Sequence, residues 1–233
     1  MSDRKLNIAI IPAAGIGTRM QTDRAKQMIE LGGVPLLVHT LRRFEDCGAV
    51  DQVILVLQPS LTSEVLALIS RHHLRKIARV VAGGAERQDS IYRGLQVIKK
   101  EDAGIVAVHD AVRPFVRPED IRSVIERAQK KGAALMAMHA TDTIKQVKKG
   151  SVSRTLDRRL IYHAQTPQAF RYKIIHEAYE RAYADGVIAT DDSQLVERLG
   201  QRVSVVEGSH LNIKITRPFD LRIAEVIHRE FFS

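Results

Sequence analysis

The chain alternates short, almost continuously apolar runs with longer stretches in which apolar residues recur every three or four positions. The runs lie at 6–12 (LNIAIIP), 53–58 (VILVLQ), 77–82 (IARVVA), 105–109 (IVAVH), 133–139 (AALMAMH) and 203–207 (VSVVE). Strands apolar on both faces are those covered by helices on both sides, whereas a half-exposed strand alternates. The stretches between them read as helices. After Pro35, a favourable first-turn residue, Leu37, Thr40, Leu41 and Phe44 share one helical face. Pro118 opens a second helix, with Glu119 and Asp120 at its positive end and Ile121, Val124, Ile125 and Ala128 as its buried stripe. Ile174, Ile175, Ala178, Tyr179 and Ala182 mark a third. Thr190 is placed to cap a fourth, with Asp191 and Asp192 in its first turn and Gly200 closing it. This alternation predicts an α/β fold: one Rossmann-like, mainly parallel sheet with helices on both faces.

One stretch departs from the pattern. Residues 139–165 hold two short alternating segments either side of Lys149-Gly150, which predicts a β-hairpin. An isolated hairpin is marginally stable in water, so it is expected to protrude as a β-arm that embraces a second subunit. Otherwise residues 1–233 are expected to form a single domain. No apolar run approaches the roughly 20 residues of a membrane span, and the first ten residues lack the pattern of a secretory signal. A cytoplasmic protein is expected. The single cysteine, Cys47, excludes an internal disulfide and reads as a helix-end residue in LRRFEDCG.

The net charge of +9 raises the question of nucleic acid. The basic residues are spread among 27 acidic ones, however, and aromatics make up only 5% with no stacking cluster. That distribution favours solvated basic faces, with local cationic pockets suited to a small, highly phosphorylated ligand.

Candidate chemistry begins at IIPAAGIGTRM, residues 10–20. After a buried strand, Gly15 and Gly17 let backbone N–H groups approach a phosphate. The third glycine of a dinucleotide-binding motif is Met20 here, and the second strand ends in LQPS, without the acidic residue that grips a ribose hydroxyl. No Lys-Ser or Lys-Thr pair succeeds the glycines to make a P-loop. Two cations come instead: Arg19, then Lys26 seven residues on. A backbone cradle flanked by two long cationic arms suits a polyphosphate on which charge develops during reaction.

Together with KQ at 26–27, PAAGIGTRM is followed in order by GGAERQDS, HDAVRPF, TDTIK, HAQTPQAF, TDDSQLVE and NIKITRPFDL. From about residue 6 to residue 225 the set resembles the 2-C-methyl-D-erythritol 4-phosphate cytidylyltransferase family. The resemblance implies a nucleotidyltransferase-like fold and a homodimer. It also implies a Mg²⁺-dependent reaction of CTP with methylerythritol phosphate, giving CDP-methylerythritol and pyrophosphate in the non-mevalonate isoprenoid pathway. By motif the ribitol-5-phosphate cytidylyltransferases stand near, and keep the chemistry while changing the acceptor. HDAVRPF and TDTIK lean toward methylerythritol. Rivals of other classes are a nicotinamide-dependent oxidoreductase and a non-catalytic nucleotide-binding module.

The resemblance also implies roles. Pro12, Ala13, Ala14, Gly15, Gly17 and Thr18 would cradle CTP, with Gly83, Gly84 and Ser90 on a second loop and Asp110 and Ala111 on a third. Ser90 equally suits a helix N-cap. Ala85 stands where the family often has Asp. Arg19 and Lys26 would stabilise the crowded phosphorus of the transition state. Asp110 is a candidate Mg²⁺ ligand, and alternatively a partner for acceptor hydroxyls or an anchor for Arg113. Thr143 and Arg158, on the arm, would reach across the dimer to the acceptor phosphate, with Arg159 leaving open which arginine grips it. Arg113, Thr166 and Lys214 complete the acceptor set, which shares Asp110, with Lys214 placing the attacking phosphate. Lys214, in NIKIT, reads as a lysine inside an apolar strand, which is costly unless paired. His109, His139 and His163 are not spaced as metal ligands and read as structural.

Overall fold

The computed structural model of the chain describes residues 4–15 and 24–232, so Gly17, Thr18, Arg19 and Met20 lie outside the described residues. β1 (Leu6–Ala13) leads through a 3-10 turn (Lys26–Met28) and the two-residue strands β2 (Glu30–Leu31) and β3 (Val34–Pro35) to α1 (Leu36–Glu45). Then come β4 (Gln52–Leu57), α2 (Thr62–Arg71), β5 (Ile77–Ala82), α3 (Arg87–Gln96), β6 (Ala103–Val108), α4 (Pro118–Lys131) and β7 (Ala133–His139). A hairpin, β8 (Lys145–Lys148) and β9 (Ser151–Thr155), precedes β10 (Tyr162–Arg171), α5 (Tyr172–Ala184), α6 (Asp192–Arg198), β11 (Ser204–Glu207) and α7 (Pro218–Phe231).

Seven strands form one sheet in the order β11-β7-β10-β6-β1-β4-β5, parallel except for β10, which runs antiparallel to β6 and β7. Each apolar run of the sequence is one of these strands. The physical reason is visible in β1: Ala9, Ile11 and Ala13 pack with α1, α2 and α4, while Ile8 and Ile10 pack with α3, α5 and α6. A strand buried on both faces has no position left for polar residues. Burying each such Ile or Leu contributes about 1.5–3 kcal/mol. A third cluster seats Ala224 and Ile227 of α7 against Leu31, Leu36, Phe115 and Ile215.

The structure corrects three local expectations. The hairpin is narrower than 139–165, because Tyr162, His163 and Ala164 already pair with β7 in the main sheet. β10 escapes a pattern reading because it carries Pro167 and mostly polar residues. A register shift between Ala164 and Gln168 spares the proline from donating to the ladder. α6 is capped by Asp191, whose carboxylate accepts the Gln194 N–H, while Thr190 donates to the Gln194 side chain. α3 is capped by a Glu86–Asp89 capping box, and Ser90 lies inside the helix. Within the arm, Lys149 and Gly150 both take positive φ, 50° and 79°, the backbone of a tight two-residue hairpin turn.

β4 and β5 lie to one side of β1 and β6 to the other. Connections therefore leave the carboxyl ends of the strands in opposite directions around β1, and a crevice opens there.

Candidate active site at the carboxyl edge of the sheet

Segments far apart in the chain meet in this crevice. Pro12, Ala13, Ala14 and Gly15 arrive from β1, Gly84 and Ser90 from the loop and helix after β5, Asp110 and Ala111 from the end of β6. Lys26 and Lys214 line the same cleft. Gly83 sits where two of these loops touch: a Cβ there would lie 2.2 Å from the Ala14 Cβ and 3.1 Å from Ser90 Oγ. Close approach, and not a positive φ, is what demands glycine at this point. Ser90 Oγ accepts the Gly84 N–H at 3.1 Å and donates to the Glu86 carbonyl at 3.2 Å, pinning the loop to α3. Gln27, beside Lys26, donates from Nε2 to the Ala13 carbonyl at 2.6 Å. That bond ties the turn carrying Lys26 to the end of β1.

Asp110 is the electrostatic centre. Its Oδ1 accepts from Arg87 Nε at 3.3 Å, and its Oδ2 from Arg113 Nε at 3.3 Å and Lys214 Nζ at 3.0 Å. Burial opposes its charge, but Arg87, then Lys214 and Arg113, hold the carboxyl far below the usual carboxylate range. Lys214 does not lie in a strand; it sits in an irregular segment anchored by the Ile215 N–H on the Val112 carbonyl. The pairing demanded of an apolar-flanked lysine is met by Asp110.

This arrangement bears on the expected Mg²⁺ ligand. A Mg²⁺ ion bound to Asp110 would have to displace a cation already at hydrogen-bond distance from one of its oxygens. Among the described residues no group of three or more His, Cys, Asp or Glu side chains is placed to hold a metal. With Arg87, Arg113 and Lys214 on its two oxygens, Asp110 anchors cations of the protein.

A buried relay holds Asp110 from behind. Its backbone N–H donates to Thr166 Oγ1 at 3.1 Å, the Thr166 hydroxyl lies 3.1 Å from His109 Nδ1, and His109 Nε2 lies 3.1 Å from the Arg113 carbonyl. Only one assignment satisfies every group: Thr166 donates to a neutral Nδ1, and Nε2–H donates to the carbonyl. Burial pushes the His109 imidazole down to about 4 from an ordinary 6.5. Below pH 6.5 the unfolded chain takes up a proton that the folded one refuses until pH 4, so this linkage removes stability as pH falls and is absent at pH 7. Its expected size at pH 5 is about 2 kcal/mol. Urea unfolding at pH 7 and pH 5 should show that increment in the native protein and not in a His109→Asn variant; equal pH dependence in both would refute the relay.

A second cavity adjoins the first and shares Arg87, Asp110 and Lys214 with it. Arg113, Gln165, Thr166, Thr190 and Asp191 also line it. Thr166 and Arg113, expected near the acceptor, thus stand on the far side of Asp110 from the glycine loops. Thr143 and Arg158 line neither cavity and are exposed on the arm. Arg159 is tied to Asp157 through Nε and Nη2, whereas Arg158 donates through Nη1 to the Thr141 carbonyl. His139 is exposed, and its Nε2 meets the Arg159 carbonyl.

Residues 7–230 match the family model for 2-C-methyl-D-erythritol 4-phosphate cytidylyltransferase. A protein of that name from Syntrophus aciditrophicus is 48% identical over 220 residues, covering 94% of each chain. Another, from Shouchella clausii, is 44% identical over 219 residues, covering 94% of this chain and 95% of its own. A solved structure of 4-diphosphocytidyl-2C-methyl-D-erythritol synthase from Anaerococcus prevotii superposes with a TM-score of 0.86 at 33% identity, covering 97% of this chain and 96% of its own. The cytidylyltransferase of Thermus thermophilus gives 0.79 at 32%, covering 97% of this chain and all of its own. Near-complete coverage in sequence and in fold means that the chain belongs to the 2-C-methyl-D-erythritol 4-phosphate cytidylyltransferase family.

Proposed function

We propose that this protein transfers the cytidylyl group of CTP to 2-C-methyl-D-erythritol 4-phosphate, forming CDP-methylerythritol and pyrophosphate for isoprenoid synthesis by the non-mevalonate route. The observation that carries the reading is the pair of adjoining cavities divided by Asp110 and its three cations. One is walled by backbone-rich loops suited to a triphosphate, the other by hydroxyl, amide and cationic side chains suited to a sugar-alcohol phosphate.

In the reaction an acceptor phosphate oxygen bonds to the α-phosphorus of CTP, and the bond from that phosphorus to the β-phosphate bridging oxygen breaks in line. Two anions must meet, so the protein's work is positioning and neutralisation. Lys26, at the mouth of the glycine loop, offsets charge at the reacting phosphorus, and Arg19 does the same from the segment outside the described residues. Lys214 orients the attacking phosphate. Mg²⁺ enters on the triphosphate as part of the substrate, since Asp110 is already neutralised by protein cations.

The arm completes the site in this reading. Val147 and Val152 are exposed on it although apolar, which supports packing against a second copy in a homodimer. Thr143 and Arg158 then reach the partner's acceptor cavity. Engagement of Arg159 by Asp157 supports Arg158 as the residue that meets the phosphate. Arg158→Ala is expected to raise the acceptor KM at least tenfold while CTP affinity stays within threefold; an unchanged KM refutes the arm's role. No described helix is long and apolar enough to cross a membrane, and a cytoplasmic enzyme is proposed. Pyrophosphate release with CTP and each acceptor in turn tests the reading. Turnover with methylerythritol phosphate supports it, and turnover with ribitol 5-phosphate alone overturns the choice of acceptor.

A further inference from the structure

Arg87 neutralises more than Asp110: two buried carboxylates depend on it. Its Nε donates to Asp110 Oδ1 at 3.3 Å, while Nη1 and Nη2 donate to Asp192 Oδ1 and Oδ2 at 3.2 and 2.8 Å. Asp192, at the start of α6, is completely buried, and its Oδ1 also accepts the hydroxyl of Tyr179 on α5. Arg87 therefore cannot turn away without stranding a buried charge. Two elements outside the nucleotide loops fix its position.

Arg113 is anchored in a similar way, through Nη1 to the Asn212 carbonyl at 2.7 Å. Asp110 thus keeps two cations that are held elsewhere. The third, Lys214, has the most exposed side chain of the trio, 37% against 31% for Arg87 and 11% for Arg113. Of the three it is the one without a second anchor among the described residues, and it lines both cavities. We infer that Arg87 is a positioning residue: by sharing the charge of Asp110 under the hold of Asp192, it leaves Lys214 available to the acceptor phosphate. Without Arg87, Asp110 would draw Lys214 more tightly and the acceptor would compete with it. This inference rests on the cytidylyl-transfer reading.

The test uses full-length Arg87→Gln, and the double variant Arg87→Gln with Asp192→Asn. In the single variant the acceptor KM is expected to rise at least tenfold, with kcat and the CTP Kd within threefold and a lowered Tm. The double variant no longer buries an unpaired carboxylate, so its Tm is expected to recover while the acceptor KM stays high. Should the single variant fail to fold, the double variant alone carries the comparison. Recovery of the KM along with the Tm would mean that Arg87 is only structural. A CTP Kd raised tenfold with an unchanged acceptor KM would make it a nucleotide contact; either result overturns the inference. Wild-type protein run alongside separates the two levels: an active wild type with the wrong variant pattern removes only the role of Arg87. A wild type silent with every acceptor removes the activity and this inference with it.

Discussion

Asp110→Asn is expected to lower kcat/KM at least a hundredfold and to destabilise the fold by about 3 kcal/mol, the order found when one member of a buried ion pair is removed. The substitution is nearly isosteric, so its effect isolates charge. Arg87 would retain Asp192 and Arg113 the Asn212 carbonyl, but Lys214 would lose the carboxylate that aims it. Three cations would then crowd one neutral amide, each repelling the others in a site that excludes much of the water that would screen them. Urea unfolding and steady-state kinetics on the same preparation measure both effects. Stability and kcat/KM within twofold of the native values would show that the cluster is incidental.

Gly83→Ala is expected to lower activity about a hundredfold by geometry alone, as misplacing reacting groups by about 1 Å does. The added methyl would meet the Ala14 Cβ at 2.2 Å, with Ser90 Oγ at 3.1 Å and the Leu57 carbonyl at 3.4 Å. The Leu57 carbonyl also accepts the Gly83 N–H at 2.7 Å, so the loop cannot shift without losing that bond. The stability loss should be about 1–3 kcal/mol, typical of overpacking, and the CTP Kd should rise with the fall in rate. Native-like kinetics in Gly83→Ala would mean that the first and second glycine loops need not touch.

The parts of this fold that the sequence reveals are those in which one residue type has one use. Doubly buried strands must be apolar, so β1, β4, β6 and β7 are legible; β10 is not, because its register shift lets a proline and several glutamine and histidine side chains occupy a central strand. The glycine loops are legible for the same reason: no other residue permits the approach of Gly83 to Ala14. Lys26, Asp110 and Lys214 can be named from their motifs, but their grouping cannot. Arg87 and Asp192 are 105 positions apart, and only the folding of α3 against α5 and α6 joins them. Arg87 stands inside GGAERQDS, a motif singled out for its glycines and serine, and its charge there is the one signal that bears on its role. His109 shows the converse: its lack of metal spacing is legible, whereas its position between Thr166 and Arg113 depends on a long-range contact across the sheet.

Cytidylyl transfer itself is tested most directly by following the α-phosphorus. With CTP labelled at that atom, Mg²⁺ and methylerythritol 4-phosphate, the label should appear in a cytidine-containing diphosphate ester, with one pyrophosphate released for each acceptor consumed. Label recovered only as CMP, or no transfer while CTP remains tightly bound, would contradict it.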